Sequence, residues 1–255
     1  MTKRNAIITG GARGIGAATA RALAADGHRV FINFVNSTQA ATDLAEEIKS
    51  HGGEAFLAQA DVRDDNQIKA MFDKIKHEYN SIDILVSNAN MNFTAKPFLE
   101  QTWEEFSQKL NDEMHAAYMT AKYAAASMKE NQFGRLIFIS STLSKSPALG
   151  FIAHGSAKGA LDSFSKYLAQ ELGPYGITSN IIAPGLVLTD ATKNAPGEFK
   201  ESAGKKFKGA KLFGIADEEE LDGFEIHRAN IEAQVKDEQG CLQEVWKTLR
   251  KDYLH

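Results

Sequence analysis

The sequence predicts an α/β fold built on a doubly wound parallel sheet of about six strands. Short apolar runs alternate with helix-like segments from residue 4 to about residue 183, which is typical of repeated βαβ units. Continuous apolar runs indicate strands that are buried on both faces, and right-handed crossovers then place helices on both sides of the sheet. The predicted strands are Ala6–Thr9, Val30–Phe34, Ala55–Ala58, Ile82–Val86, Leu136–Ile139 and Thr178–Ile182.

Helical patterns fill the intervals between these strands, because apolar residues recur there with helical spacing. The predicted helices span residues 14–26, 38–51, 64–78, 100–130 and 154–173. Residues 186–214 have little apolar periodicity and are expected to form a substrate lid. Residues 215–255 form an atypical tail, which we expect to be a helical C-terminal segment. No linker marks a boundary, so residues 1–255 are expected to form one domain.

The composition is that of an ordinary globular protein. Of the 255 residues 43% are hydrophobic and 24% are charged, and the formal net charge is −4. Nucleic acid is not an expected partner, because a phosphate backbone needs a basic surface. Cys241 is the only cysteine, which excludes an internal disulfide and a thiolate metal cluster, and no metal is expected. With no apolar segment long enough for a signal peptide or a membrane span, we expect a cytoplasmic protein.

The segment after the first strand, T-G-G-A-R-G-I-G at Thr9–Gly16, has the spacing of a dinucleotide-binding turn. Its glycines permit a tight turn, close approach of the backbone to a pyrophosphate, and close packing of the helix on the strand. The N–H groups at the start of the helix are available to the anion. The turn therefore predicts a Rossmann-like, dinucleotide-binding domain, with cofactor contacts from Gly10, Gly14, Ile15 and Gly16.

The end of the second strand indicates which dinucleotide is bound. NAD sites usually place a carboxylate there against the ribose hydroxyls, but here the residues are Asn36, Ser37 and Thr38. Arg13 lies in the glycine-rich turn, where its guanidinium could pair with a ribose phosphate. NADP(H) is therefore favoured over NAD(H), with Arg13, Asn36 and Ser37 as further cofactor contacts.

Further motifs follow the third, fourth, fifth and sixth predicted strands. They are Asp61–Val62, Asn88-Ala89-Asn90, Ser140–Ser141, and Pro184–Gly185 with Thr189. Together with the glycine-rich turn, they resemble the short-chain dehydrogenase/reductase family over about residues 4–190, and most closely its beta-ketoacyl-carrier-protein reductase type. The resemblance implies that the cofactor is contacted by Asp61, Val62, Asn88, Pro184, Gly185 and Thr189.

The same resemblance implies the catalytic residues. Ser141 stands where the family's serine hydrogen-bonds the substrate oxygen, and Asn111 where a helix asparagine holds a water-linked proton path to a lysine. That lysine corresponds to Lys158, which in the family also binds the nicotinamide ribose. Asn90 replaces a glycine of the family pattern, so a side chain is expected beside the ribose.

His154 is the main departure from the family. A tyrosine usually lies thirteen residues after the serine and four before the lysine, and both spacings lead to His154. Four residues along a helix place His154 and Lys158 on one face. A histidine has an ordinary pKa of about 6.5, and the cation of Lys158 would favour its neutral form.

Three functional interpretations remain open. In the first, the chain is an NADP(H)-dependent oxidoreductase that interconverts a carbonyl and a hydroxyl, with His154 as acid/base and Ser141 polarising the carbonyl. In the second, it is a non-redox enzyme, such as a hydro-lyase, isomerase or cyclase, in which His154 is a base. In the third, it is a binding protein with degraded chemistry.

The expected partners follow from the same resemblance. A small-molecule or carrier-bound acyl substrate is expected. Pro147, Leu149, Phe151 and Ile152 make one rim of the predicted site apolar, which suits an acyl chain and equally suits ordinary loop packing. The family's C-terminal strand motif is not matched after residue 214, but the helices at 100–130 and 154–173 could pair across a dimer. A homo-oligomer, either a dimer or a tetramer, is therefore predicted.

Overall fold

A computed structural model describes residues 3–185 and 187, and the backbone at 210–211 and 232–233. Its main sheet has six parallel strands in the order β3-β2-β1-β4-β5-β6, flanked by five helices in the described range. In chain order the elements are β1 (Asn5–Ile8), α1 (Gly14–Ala25), β2 (Arg29–Phe34), α2 (Thr38–Ser50), β3 (Glu54–Gln59), α3 (Asp65–Tyr79), β4 (Ile84–Ser87), α4 (Trp103–Glu130), β5 (Gly134–Ile139), α5 (Ile152–Leu172) and β6 (Ile177–Ile182).

This topology confirms the predicted doubly wound fold. The chain runs outward from β1 through β2 to β3, and then returns to the other side of β1 with β4. Two apolar clusters lie on opposite faces of the sheet, one under α1 and α2 and the other under α3, α4 and α5. The point where the strand order reverses, between β1 and β4, is where ligands bind in open sheets of this kind.

Most element boundaries differ from the sequence-based ones by one to three residues, and three of the differences have clear local reasons. β4 begins at Ile84 rather than Ile82, because the N–H of Ile82 donates to the Ser127 hydroxyl at 3.0 Å instead of to a strand. α4 begins at Trp103, because Thr102 and Glu105 form a capping box. α5 begins at Ile152 rather than at His154, so the histidine lies inside its first turn.

Most of the expected lid and C-terminal segment lies outside the described residues. Within it, Ala210–Lys211 (β7) pairs antiparallel with Glu232–Ala233 (β8) over two residues. None of the described helices is long and apolar enough to cross a membrane.

Asn33 joins the carboxyl ends of the first three strands. Its buried amide donates to the carbonyl oxygens of Ala58 at 3.0 Å and Ala60 at 2.9 Å. Its side-chain oxygen accepts from the N–H of Gly10 at 3.3 Å, and its backbone oxygen from the N–H of Gly11 at 2.8 Å. One side chain therefore fixes the glycine-rich turn relative to the end of β3.

Replacing Asn33 with Ala should destabilise the protein, because it leaves these buried groups without their partners. We expect the free energy of unfolding to fall by about 2–4 kcal/mol, since each unsatisfied buried polar group costs about 1–3 kcal/mol. Urea denaturation measures the loss. Asn36→Ala, at an exposed position three residues on, is the control and should change stability by less than about 0.5 kcal/mol. Equal stability of the two variants would contradict the role of Asn33.

Candidate active site

A groove of about 370 Å³ lies at the carboxyl ends of β1 to β4, on the switch point of the sheet. It brings together residues that are far apart in the sequence, including several that were predicted to contact a cofactor. The lining residues from the turn and from the ends of β2 and β3 include Gly10, Arg13, Asn36, Ser37, Asp61 and Val62. The lining after β4 consists of Ala89, Asn90, Met91 and Asn92.

The glycine-rich turn has the shape that a dinucleotide requires. Gly10 and Gly14 adopt φ values of +58° and +53°, in the left-handed region that favours glycine. A Cβ on Gly16 would lie 2.6 Å from the Gly10 carbonyl oxygen, so only glycine allows α1 to start this close to the turn. Ile15 contributes its side chain to the core instead of to the groove. The turn therefore fits a pyrophosphate held on backbone N–H groups.

Asn88 braces this turn from the end of β4. Its amide donates to the carbonyl oxygens of Thr9 at 2.9 Å and Gly10 at 3.1 Å. Its own N–H donates to the Thr9 hydroxyl at 2.9 Å, and the N–H of Ala89 donates to the same hydroxyl at 3.0 Å. Asn88 was predicted to contact the cofactor. Its hydrogen bonds in the structure instead fix the glycine-rich turn and join the end of β1 to the end of β4.

Two arginines lie at the rim of the groove, and among the described residues only one of them is not paired there with a carboxylate. Arg13 donates to the Ser37 hydroxyl at 2.9 Å, so the guanidinium already lies at the end of β2. Arg63 lines the groove beside Asp61 and pairs with its carboxylate at 2.7 Å. The hydrogen bonds from Arg63 hold the pKa of Asp61 below its ordinary value, so the carboxylate stays charged. The rim that meets the adenosine half of a dinucleotide is therefore suited to a phosphate next to Arg13.

His154 and Lys158 lie on one face of α5, as their spacing predicts, and both are buried. The imidazole stacks on the ring of Phe93, with centroids 4.8 Å apart and planes 23° apart. Phe93 comes from the loop after β4 and also contacts Phe151, at 5.8 Å between centroids. Nδ1 of His154 is buried without a hydrogen-bond partner among the described residues. The Phe93 ring thus covers one face of the imidazole and contributes to its burial.

This environment keeps His154 uncharged at neutral pH. Burial is the largest cause, and together with the cations of Lys158 and Lys109 it lowers the pKa of His154 from 6.5 to about 4. The carboxylate of Glu113 acts in the opposite direction but is outweighed. The imidazole therefore offers both an N–H donor and a lone pair across the physiological pH range.

Lys158 belongs to a buried cluster of three charges. Its ammonium donates to Glu113 Oε1 at 2.6 Å and to the Ile139 carbonyl oxygen at 2.8 Å. The other carboxylate oxygen, Glu113 Oε2, accepts from Lys109 Nζ at 2.7 Å and from the N–H of Met91 at 3.2 Å. Burial alone would raise the pKa of Glu113, but the two cations outweigh it and hold that pKa below its ordinary value.

Glu113 takes the place that the sequence assigned to Asn111. Asn111 is exposed on α4, about 200° around the helix from Glu113, so it cannot support Lys158 as expected. Lys109, Glu113 and Phe93 were not singled out from the sequence. The available signal was that Lys109 and Glu113 fall on the same face as the buried Ala116 and Ala117.

Ser141 follows β5 and begins a short turn that contacts α5. Its hydroxyl oxygen accepts from the N–H of Leu143 at 3.2 Å, which leaves its hydrogen to donate to a ligand. The N–H of Thr142 donates to the Pro184 carbonyl oxygen at 3.0 Å, so Pro184 lies beside this turn while Gly185 is partly buried. Thr189, the other predicted contact in that segment, lies outside the described residues.

Comparison with known proteins agrees with this geometry. The family model described as short chain dehydrogenase matches residues 4–198. A 3-oxoacyl-[acyl-carrier-protein] reductase from Synechocystis is 32% identical over 198 residues, which cover 78% of this chain and 80% of the relative. The chain therefore belongs to the short chain dehydrogenase family, a family of oxidoreductases.

Solved structures support the same assignment. A dehydrogenase/reductase from Sinorhizobium meliloti is 32% identical, with a TM-score of 0.74 and coverage of 81% of both chains. A short chain dehydrogenase from Burkholderia cenocepacia in complex with NADP is 33% identical, with a TM-score of 0.70 and coverage of 78% of this chain and 81% of that one. The predicted sheet and family are thus confirmed.

Removing the ring that covers His154 should raise the pKa of that histidine. In Phe93→Ala, water returns to the imidazole and weakens the largest cause of the low pKa, so we expect a shift from about 4 toward 6.5. NMR titration of the ring protons, assigned with His154→Gln, measures it. Phe98→Ala, in the same loop but 70% exposed, is the control. An unchanged titration midpoint in Phe93→Ala would refute the covering role of Phe93.

Proposed function

We propose that the protein is an NADP(H)-dependent oxidoreductase that interconverts a carbonyl and a hydroxyl, with His154 in place of tyrosine as acid/base. The observation that carries the proposal is the hydrogen-bonded link between the groove and Lys158, which lies one helical turn from His154. Met91 and Asn90, which line the groove, are hydrogen-bonded to the charged cluster that holds Lys158. A dinucleotide groove and a proton-handling group thus share one edge of the sheet.

The residues around the groove fit NADP(H). Gly10, Gly14 and Gly16 hold the pyrophosphate on the backbone of the turn, and Arg13 with Ser37 holds the 2′-phosphate. Support comes from the Burkholderia relative solved with NADP and from the absence of a carboxylate at Asn36–Thr38. When bound, the nicotinamide supplies or accepts a hydride. The protein's own side chains must then handle the proton and the charge on the substrate oxygen.

His154 moves that proton. In the direction from alcohol to carbonyl, the neutral imidazole accepts the hydroxyl proton, and in the reverse direction the imidazolium returns it. The Ser141 hydroxyl donates a hydrogen bond to the same substrate oxygen. A pKa of about 4 leaves roughly one imidazole in a thousand protonated at pH 7. Alcohol oxidation therefore uses the neutral imidazole, which is the abundant form. Carbonyl reduction requires the imidazolium, which is the minor form.

The buried charges stabilise the transition state. Lys109, Glu113 and Lys158 together carry one net positive charge, and they lie in a site with little water. Negative charge that develops on the substrate oxygen is therefore attracted to this face of α5. This interaction offsets part of the disadvantage of a weakly basic imidazole.

The substrate is proposed to be a small-molecule or carrier-bound acyl compound. The Synechocystis relative is named as a reductase of 3-oxoacyl groups on acyl-carrier protein. In this chain Leu149 is 88% exposed and Ile152, at the start of α5, is 39% exposed, which leaves an apolar rim for an acyl chain. A homo-oligomer paired through α4 and α5 is part of the same proposal.

Arg13→Ala should reduce the preference for NADPH. Loss of a charge-assisted contact costs about 1.5–3 kcal/mol, which corresponds to a roughly 10- to 150-fold higher Kd for NADPH with little change for NADH. Calorimetric titration of both dinucleotides measures the preference. Arg21→Ala, which removes a guanidinium from α1 that pairs with Glu47, is the matched control. Equal losses for NADPH and NADH would contradict the assignment of the 2′-phosphate.

His154→Gln should lower kcat/KM at least about 100-fold on a panel of carbonyl and hydroxyl substrates, because it removes the acid/base. For the wild type, kcat/KM for carbonyl reduction should rise as the pH falls from 7 toward 5, since the imidazolium fraction grows about tenfold per pH unit. Steady-state kinetics measure both, with His51→Ala at the exposed end of α2 as control. Product formation that is independent of NADP(H) would instead support a non-redox enzyme with His154 as base.

A further inference from the structure

Lys109 has acceptors for all of its N–H groups although it is not part of any predicted motif. Its side chain is fully buried on α4, and an ammonium has three N–H donors. These groups donate to Glu113 Oε2 at 2.7 Å, to the Met91 carbonyl oxygen at 2.7 Å and to Asn90 Oδ1 at 2.9 Å. Such saturation is characteristic of a lysine that organises its neighbours and does not itself bind a ligand.

Lys158 differs from Lys109 in this respect. Among the described residues, its ammonium has two acceptors, Glu113 Oε1 and the Ile139 carbonyl oxygen. One N–H is therefore available to a ligand. Both lysines donate to the Glu113 carboxylate, but their roles differ. Among the described residues, Lys158 has an N–H group without an acceptor, whereas Lys109 has none.

Contact with Lys109 also settles the orientation of Asn90. An ammonium cannot accept a hydrogen bond, so the amide atom that faces it must be the oxygen. The NH₂ group of Asn90 is then on the other side of the amide, and the exposed Asn90 lines the groove. Lys109 thereby directs the two N–H donors of the Asn90 amide toward the groove. There they can donate to a ligand acceptor, such as a ribose hydroxyl or a phosphate oxygen.

A second link leads from Lys109 to His154. The ammonium lies 5.4 Å from the centroid of the Phe93 ring, which stacks on the imidazole. The charged groups that act on His154 are Lys158 on its own helix and Lys109 and Glu113 on α4, whereas the loop after β4 contributes the uncharged Phe93. Lys109 is therefore the only cation from α4 in this set.

We propose that Lys109 is a positioning residue of the active site, which turns the Asn90 amide toward the groove and places a second cation behind the Phe93 ring that stacks on His154. The first task rests on the proposed dinucleotide site. The second depends only on the charges and can be measured without any ligand.

Lys109→Met and Lys109→Gln separate the two tasks. Both remove the cation, so both should move the NMR titration midpoint of His154 to higher pH, whereas Lys122→Met at an exposed position on α4 should not. Because Lys158 and Glu113 remain paired, the cluster left behind is neutral. If Lys109→Met does not fold, Lys109→Gln serves alone, since its amide keeps N–H donors for the buried acceptors. A lower melting temperature with an unchanged midpoint would overturn the electrostatic task.

The Asn90 task is tested by the Kd for NADPH. Lys109→Met and Asn90→Ala should each raise it by a similar factor, about 10-fold, and the double variant should raise it no further. Lys109→Gln should retain more affinity than Lys109→Met. Multiplicative losses in the double variant would overturn this task. If the wild type binds no NADPH, the proposed function fails, while the His154 titration still decides the electrostatic task.

Discussion

The carboxylate of Glu113 between two buried ammonium groups is the interaction on which the rest of the site depends. Without it, Lys109 and Lys158 would be two like charges in a medium that solvates neither. With it, the cluster keeps one net positive charge in a fixed place. Breaking such a buried pair costs several kcal/mol, whereas the intact pair contributes little net stability. Its role is thus to set geometry and charge.

The residues around Lys158 form a single connected unit. Asn90 accepts from Lys109, Lys109 is paired with Glu113, and Glu113 holds Lys158. His154 lies one helical turn from Lys158 and is covered by Phe93. A change at any one of these positions alters the charge or packing of the next. The role proposed for His154 is therefore best understood together with these neighbours.

The sequence was sufficient for the fold but only for part of the site. Continuous apolar runs identified all six strands of the sheet, because strands buried on both faces carry few polar residues. The His154–Lys158 pair was predictable because helical spacing is regular. The prediction for Asn111 was based on its residue type. The face of α4 that meets Lys158 instead carries Glu113, two positions further along the helix. Lys109 and Glu113 were missed because a charged pair four residues apart usually faces solvent, and only the tertiary packing of α4 buries it.

The low pKa of His154 also ties the fold to the pH of its surroundings. In the unfolded chain this histidine would titrate at its ordinary value of 6.5, whereas in the folded protein it titrates at about 4. Between these values the unfolded chain binds more protons, so acidification favours unfolding; the contribution of His154 to stability is complete above pH 6.5 and is lost as the pH falls through 4. The acid that would populate the imidazolium thus also weakens the structure that holds it. Proton linkage at His154 therefore couples the protonation state of the site to the stability of the fold.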